Sequence, residues 1–401
     1  MTNSTEGLGI QKSKRLVLPR QILIGSILLA VVAWLFGYFA NNTNVLPSVP
    51  DVIPNATRVE QRGEIFIGLD PQGNVLGYAA TGQGQGYAGP IEMLVGVDVN
   101  GEITGVKIIV QRETPGFFRL IVENEFVAQF VGLQYRDPLR LNSDLDAVSG
   151  ATVSAEGIAT SIRQAVTLIS DDGFASPLPA EKRPIKFGIP EITLIGLYAA
   201  GYFGHKHKSS IWKRRIRWGT LVVGMIVLGF VNTAPLTISQ VVSLLSGFWP
   251  DWHNNLYWYL LIGGIMFVTT VDAKNPYCSW FCPFGAVQEC LAQITGAKFY
   301  RPRKWSEFFT WLQRGLAFSA VLLGLAMRRP GIAGYEPFAT LFDFRGTSLE
   351  VAFLVLVMLA SLLMYRPFCN YLCPLDTVCD FIAESRRWVR EVWKNVQRKS
   401  Q

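Results

Sequence analysis

Nineteen consecutive residues, Ile22 to Ala40, carry no charge, a run long enough to cross a hydrocarbon core of about 30 Å. Further apolar stretches lie near 188–204, 218–238, 256–272, 311–327 and 349–365. Together they predict an all-α bundle of about six transmembrane helices, so lipid is one of the solvents for this chain. The composition agrees: 17% of the 401 residues are charged, against roughly a quarter in soluble domains. Disorder and fibrous repeats are excluded.

Charge is unevenly spread. Residues 41–187 hold 11 Lys/Arg against 17 Asp/Glu, a net of −6, while the remainder holds 26 against 13, a net of +13. Nucleic-acid binding would put the basic excess on a folded soluble face. Here it flanks apolar spans, as membrane orientation requires. Lys12, Lys14, Arg15 and Arg20 precede the first span, whose apolar core is longer than that of a signal peptide and has no clear cleavage site after it. The reading is a cytoplasmic segment 1–21, a retained anchor 22–40 and an exported domain 41–187. The stretch His205–Arg217 holds Lys206, Lys208, Lys213, Arg214, Arg215 and Arg217 without an acid and is placed in the cytoplasm. Loops 273–310 and 366–401 then fall inside and are basic, whereas Arg328 and Arg329 fall outside, against the rule. The bundle occupies 188–379. Within it, 218–290 and 311–379 resemble one duplicated unit: a span, an outside loop with a proline (Pro235; Pro337), a second span and a cysteine pair. Both pairs are thereby delivered to one side.

The exported segment reads as an α+β domain. Glu64–Gly68, Val75–Ala80, Ile91–Val99 and Ile103–Val110 have strand patterning, with Asn100 and Gly101 forming a hairpin turn. Arg119–Val131 and Ala155–Ile169 have helical spacing, and Ile158, Ile162 and Val166 share one face. The run Asp146-Ala-Val-Ser149-Gly150-Ala151-Thr152-Val-Ser154 leads straight into the second helix. Gly150 permits a tight backbone, its small neighbours leave the Thr152 hydroxyl accessible, and a helix start favours a phosphate. The same residues also suit a plain turn with Ser154 as N-cap.

This run resembles the flavin-attachment motif Asp-x-x-Ser-Gly-x-Thr of the FMN-binding domain found in RnfG, NqrC and NosR proteins. Asp146, Ser149, Gly150 and Thr152 match it, with Ala151 at the variable position. The resemblance implies FMN joined through its phosphate to Thr152 by a flavin transferase. Glu113, Thr114, Pro115 and Gly116 are similar to the family's Glu-Thr-Pro-Gly segment near the flavin, and Gly86-Tyr87-Ala88-Gly89-Pro90-Ile91 is similar to its glycine-rich opening strand.

All six cysteines lie between Cys278 and Cys379, and the acidic domain has none, which argues against a disulfide-stapled domain. Cys278-x3-Cys282-Pro283 and Cys369-x3-Cys373-Pro374 can each present two sulfurs on one face. Four thiolates from two related units suit one Fe–S cluster or a structural zinc, which spacing alone does not separate. Aromatic neighbours Trp280, Phe281, Phe284 and Tyr371, and a flavin domain on the same chain, favour one [4Fe–4S] cluster on Cys278, Cys282, Cys369 and Cys373. Cys290 and Cys379 either extend the ligand set to two clusters or are ordinary helix cysteines. Three histidines, His205, His207 and His253, leave little from which to build a bis-histidine haem.

The cysteine pairs resemble those of NapH- and NosR-type membrane ferredoxin-like proteins. The order of anchor, exported FMN domain, bundle and twin motifs is similar to NosR and to the PceC proteins of organohalide-respiring bacteria. Tyr335-Glu336-Pro337-Phe338 is similar to a Glu-Pro-Phe segment of that group. Those relatives continue into a domain with two ferredoxin-type cysteine sets. Here the residues after Cys379 are a basic tail, 380–401, read as a membrane-surface helix, and a separate subunit is expected to supply the ferredoxin. The resemblance implies an electron-transfer subunit of a bacterial cytoplasmic membrane rather than a stand-alone enzyme. Its donor would be a quinol, a ferredoxin or a partner subunit, and its acceptor an extracytoplasmic redox protein. The alternative is a NosR-like redox-sensing or assembly protein. Either way, the two cofactors are expected at opposite faces of the apolar core.

Overall fold

The computed structural model describes residues 19–40, 44–179, 185–272, 275–298, 305–344 and 346–399. Lys12, Lys14 and Arg15 of the segment assigned to the cytoplasm lie outside the described residues.

Helix α1 (Arg20–Ala40) is followed by a single turn, α2 (Val49–Val52), and a five-stranded antiparallel meander. The strands are β1 (Arg58–Arg62), β2 (Ile65–Leu69), β3 (Val75–Gln85), β4 (Pro90–Asp98) and β5 (Ile103–Gln111). Alternation decides which face each side chain serves. Ile91, Met93, Val95 and Val97 of β4 enter a core shared with helix α4 (Thr152–Leu168), while Leu94 points the other way, onto Val49, Val52 and Ile53. Ile158, Ile162 and Val166 are buried in the first core. The hairpin at Asn100 and Gly101 forms with Gly101 at φ +90° and the Asp98 carboxylate accepting from the Asn100 and Glu102 amides. β1 escaped the pattern because Arg-Val-Glu-Gln-Arg is a polar edge strand with almost nothing to bury. The expected helix Arg119–Val131 is instead α3 (Pro115–Glu123) and a 3-10 turn, Phe126–Phe130, broken where Glu125 takes a left-handed φ of +48°.

The remaining chain is helical: α5 (Ile189–Lys206), α6 (Ser210–Val223), α7 (Ile238–Leu245), α8 (Leu256–Asp272), α9 (Pro283–Thr295), α10 (Ser306–Ala326), α11 (Pro330–Ala333), α12 (Phe338–Phe342), α13 (Ser348–Leu363), α14 (Pro367–Tyr371) and α15 (Pro374–Lys399). α6 runs on as a wider π-turn to Val231, and the chain then leaves the helix at Asn232 ahead of Pro235, short of the span expected to reach 238. Among the described residues two helices are long and apolar enough to cross a membrane, Arg20–Ala40 and Glu307–Ala326; Leu256–Val271 and Ser348–Leu363 are apolar but shorter. The two sequence units share an order of elements, long helix, short helix (α7; α12), apolar helix (α8; α13), cysteine turn, helix (α9; α15), with the extra turn α11 inserted in the second.

The bundle has two distinct ends. At one, Arg20 sits 5.3 Å from the Trp388 ring and Arg386 donates to the Val271 carbonyl. At the other, Gly37 of α1 lies against the Leu325 and Ala326 carbonyls of α10, and the sheet domain is docked there. Arg112 Nε donates to the Arg328 carbonyl (3.0 Å), Ser243 Oγ of α7 donates to the Ala88 carbonyl (2.6 Å), and Gly331 lies against the Glu113 carbonyl.

α4 can lie on β3 because Gly82 and Gly84 have no side chain; a Cβ on Gly84 would fall 1.8 Å from the Gly157 carbonyl oxygen and one on Gly82 2.0 Å from that of Ser161. The Ser161 hydroxyl completes the contact, donating to the Gly82 carbonyl (2.5 Å) and accepting from the Met93 amide (3.1 Å). Gly84→Val is expected to lower unfolding stability by about 3 kcal/mol through overpacking, measured by chemical denaturation of the detergent-solubilised full chain.

Candidate cofactor sites

Gly150 has φ +79°, a conformation that glycine adopts without strain, and so turns the chain into α4. The helix begins at Thr152 with Ala151 as N-cap, so Ser154 does not cap it. Thr152 is exposed, its hydroxyl 3.4 Å from the Val148 carbonyl. Ser149 and Asp146 are exposed beside it, the Asp146 amide donating to Gln129 Oε1 (2.8 Å). Below this rim the polar groups are buried and unpaired: among the described residues Tyr87 Oη, Glu113 Oε1 and Ser154 Oγ have no hydrogen-bond partner. The Ala88 amide approaches Glu113 Oε2 at 3.4 Å, and Thr114 starts α3, with Pro115 as its first residue and Gly116 next. Burial pushes the Glu113 carboxyl up to about 7 against the pull of the Ala88, Tyr87 and Thr114 amides and the nearby Ser154 hydroxyl. Buried polar atoms are normally satisfied, so three orphans beneath an accessible hydroxyl at a helix start fit a polar, phosphate-bearing ligand such as FMN.

The cysteines occupy the turns at the far side of the bundle core. Cys278 is in the π-turn Tyr277–Phe281, Cys282 caps α9, Cys369 lies in α14, and Cys373 directly precedes α15. Cys282 and Cys373 are buried and Cys278 and Cys369 half-buried. The two pairs face one another within electrostatic reach: Cys373, Cys282 and Cys379 act on Cys278, and Cys282 acts on Cys369. Cys290 is on the outer part of α9 near Glu289, with no cysteine acting on it. Among the described residues, no three His, Cys, Asp or Glu side chains converge closely enough to hold a metal ion as they stand. The donor chemistry nonetheless fits an anionic cluster. Asn275 Nδ2 donates to Cys278 Sγ (3.0 Å), Gln288 Nε2 to Cys369 Sγ (3.2 Å), and the buried Arg366 Nε–H, acted on by Cys369 and Cys282, has no partner. Phe284 packs on Phe338 and Phe368 at ring distances of 4.8 and 5.2 Å and keeps water out.

A charged frame missed by sequence reasoning holds these turns. Glu289 takes both terminal nitrogens of Arg217 (2.7 and 2.6 Å) and one from Arg366 (2.5 Å). Arg217 Nε donates to the Ser279 carbonyl and Arg366 Nη1 to that of Cys278. Arg217 is therefore not part of a solvated basic loop as expected, but a buried group of α6. The available signal was a lone glutamate following the first cysteine pair within an apolar region.

Residues 86–167 match the family model of an FMN-binding domain, and residues 254–302 and 349–393 that of a 4Fe-4S binding domain. The chain is 33% identical over 134 residues to the G component of the ion-translocating oxidoreductase complex of Methanosarcina acetivorans, covering 31% of this chain and 71% of that protein. It is 30% identical over 181 residues to protein NirI of Paracoccus denitrificans (41% and 26% of the two chains) and 25% over 188 residues to regulatory protein NosR of Pseudomonas aeruginosa (43% and 26%). The chain thus spans about a quarter of the length of NirI and of NosR. Through its FMN-binding domain it belongs to the family of these oxidoreductase G components, and with a 4Fe-4S binding domain following, it is a NosR/NirI-like flavoprotein.

Both sites make predictions that solution measurements can check. Glu289→Ala leaves two buried guanidiniums uncompensated and is expected to cost about 3–5 kcal/mol, read by thermal unfolding. Glu113 stays protonated in the folded chain up to about pH 7, whereas its ordinary value is 4.5. The folded state thus holds the extra proton between these values, and stability falls as pH rises through that window. In Glu113→Gln the share of this slope that Glu113 contributes is expected to be lost from denaturation curves taken between pH 4.5 and 7.

Proposed function

We propose that this protein is a membrane-bound electron-transfer protein linking a covalently bound FMN on Thr152 to one [4Fe–4S] cluster on Cys278, Cys282, Cys369 and Cys373. The observation that carries this reading is the docking of the FMN-binding domain on the bundle that holds the cysteines. From that seam two segments run inward. Ile238 donates its amide to Glu336 Oε1 (2.7 Å), Tyr335 Oη donates to the Leu372 carbonyl next to Cys373 (2.8 Å), and Tyr277 Oη, next to Cys278, accepts from the Leu236 amide (3.0 Å).

Bound FMN would supply one- and two-electron redox chemistry and the cluster one-electron chemistry. The chain's own residues do the rest. Thr152 offers the hydroxyl for phosphoester linkage by a flavin transferase, and the amides at the start of α4 favour the phosphate. Asp146, Ser149, Gly150 and Ala151 shape that turn, while Glu113, Thr114, Pro115 and Gly116 line the cradle. Arg366, with Arg217 and Glu289, leaves one net positive charge beside the thiolates. Cys379, beside Cys278, is the better placed of the two further cysteines to join a ligand set. Large apolar side chains such as Phe39, Ile189, Phe267 and Leu349 are exposed on the outside of the helices, which supports a lipid environment. In this reading α1, α5, α6, α8, α10 and α13 span a bacterial cytoplasmic membrane with the FMN domain outside and the cysteines toward the inside. The donor is a quinol, a ferredoxin or a partner subunit, and the acceptor an extracytoplasmic redox protein. The similarity to a protein named as regulatory favours a second reading, redox sensing without net transport. Reduction of the flavin by an inside donor in oriented vesicles separates the two.

Protein co-expressed with a flavin transferase should carry one FMN by intact mass, lost in Thr152→Ala, and about four irons with as many sulfides per chain. Colourless protein without FMN mass or iron defeats the proposal; about eight irons would replace one cluster with two.

A further inference from the structure

A cavity of about 340 Å³ lies at the seam between the sheet domain and the bundle, and its lining shares no residue with either cofactor site. Its walls carry Arg112, Arg328 and Arg329 together with Ile108, Phe118 and Met327. Arg112 is 7% exposed. Its guanidinium lies 4.6 Å from the Phe248 ring centre, and that of Arg328 lies 5.0 Å from the same ring and 5.1 Å from Tyr38. Two like charges therefore share one aromatic ring, with a third beside them. No ion pair to a carboxylate involves any of the three among the described residues. Burial, then the charges of Arg328 and Arg329, pull Arg112 down to about 10 against the opposing charge of Glu92. Arg112 is buried, Arg328 half-buried and Arg329 exposed; crowding cations around a buried guanidinium is costly unless an anion completes the cluster, and guanidinium forks match phosphate oxygens.

The cavity's position and lining define the anion further. α1 and α10, the two helices long and apolar enough to cross a membrane, end together here, at Ala40 and Ala326. Arg328 and Arg329 follow α10 directly, at the level where headgroups would lie. Ile108, Phe118 and Met327 offer apolar surface that an inorganic ion cannot use. We propose that this cavity binds a phosphate-bearing anion, the headgroup of an anionic phospholipid, which ties the sheet domain to the ends of α1 and α10. The two outward arginines that contradict the orientation rule are then ligands rather than topological signals.

The test uses the full chain in detergent, titrated separately with phosphatidylglycerol, phosphatidylcholine and inorganic phosphate, with native mass spectrometry and thermal unfolding as readouts. Phosphatidylglycerol is expected to be retained at one per chain and to raise the unfolding temperature, phosphatidylcholine to do neither. Arg328→Gln/Arg329→Gln is expected to weaken that binding about tenfold or more, as loss of charge-assisted hydrogen bonds implies. Arg329→Gln alone, at an exposed position, should fold as the parent does and lose part of the binding. Equal stabilisation by inorganic phosphate overturns the lipid occupant in favour of a free anion. Undiminished phosphatidylglycerol binding in both variants, or equal binding of phosphatidylcholine, overturns the site.

Discussion

Glu289 is 2% exposed and holds two guanidiniums. It is the point at which the two halves of the helical region become one structure. Arg217 comes from α6 and Arg366 from the residue preceding α14, so a single carboxylate fastens the first unit to the second. Each arginine spends a further nitrogen on a carbonyl of the first cysteine turn. Burying three charges costs several kcal/mol of hydration per ion, and such a group is weak evidence for stability as such. Its value here is positional. It fixes where Cys278 and Cys369 stand relative to each other and leaves an excess positive charge beside the thiols that the proposed function gives to a cluster. Gln288, one residue earlier, reinforces the same link by accepting from the Phe368 amide and donating to Cys369.

The turn at Gly150 that starts α4 at Thr152 was the most legible part of the chain. A glycine that must reach positive φ, a small neighbour and a hydroxyl at a helix start form a local device, and local devices can be read without tertiary information. The cysteine turns were legible for the same reason, since each proline directly follows a cysteine and starts a helix. Tertiary partners were not. Arg217 sits in a basic run that hydropathy assigns to a loop, yet its partner is 72 residues away and only packing selects it. β1 was invisible because an edge strand needs no apolar alternation, and the break at Glu125 depends on a backbone conformation that its residue type does not announce. The segment after Val231 was read as part of a span because an apolar run records solubility and not whether the backbone stays helical.

That last departure matters for how the two cofactor sites relate. Spans alone would put a flavin site and a cysteine site at opposite faces of an apolar core of about 30 Å. Residues 232–237 and 335–338 are extended or short-helical instead, and both enter the bundle. In the first segment the Leu236 amide donates to Tyr277 Oη and the Ala234 carbonyl accepts from Tyr257 Oη, as irregular backbone within an apolar interior requires. The first segment meets the first cysteine turn through Tyr277, and the second meets the second through Tyr335.

The docked domain and the inward segments share one border. Gly331 touches the Glu113 backbone, and four residues later Tyr335 bonds to the carbonyl beside Cys373. One short stretch of chain therefore contacts the backbone of the flavin cradle at one end and the cysteine turn at the other. A shift of the sheet domain against α11 would be felt at Tyr335, because packed interiors transmit displacement rather than absorb it. The same stretch would serve transport, in the proposed function, by keeping the two sites in fixed register, and would serve sensing by passing a change at one site to the other. What separates those roles is whether electrons also follow the route that the packing lays out.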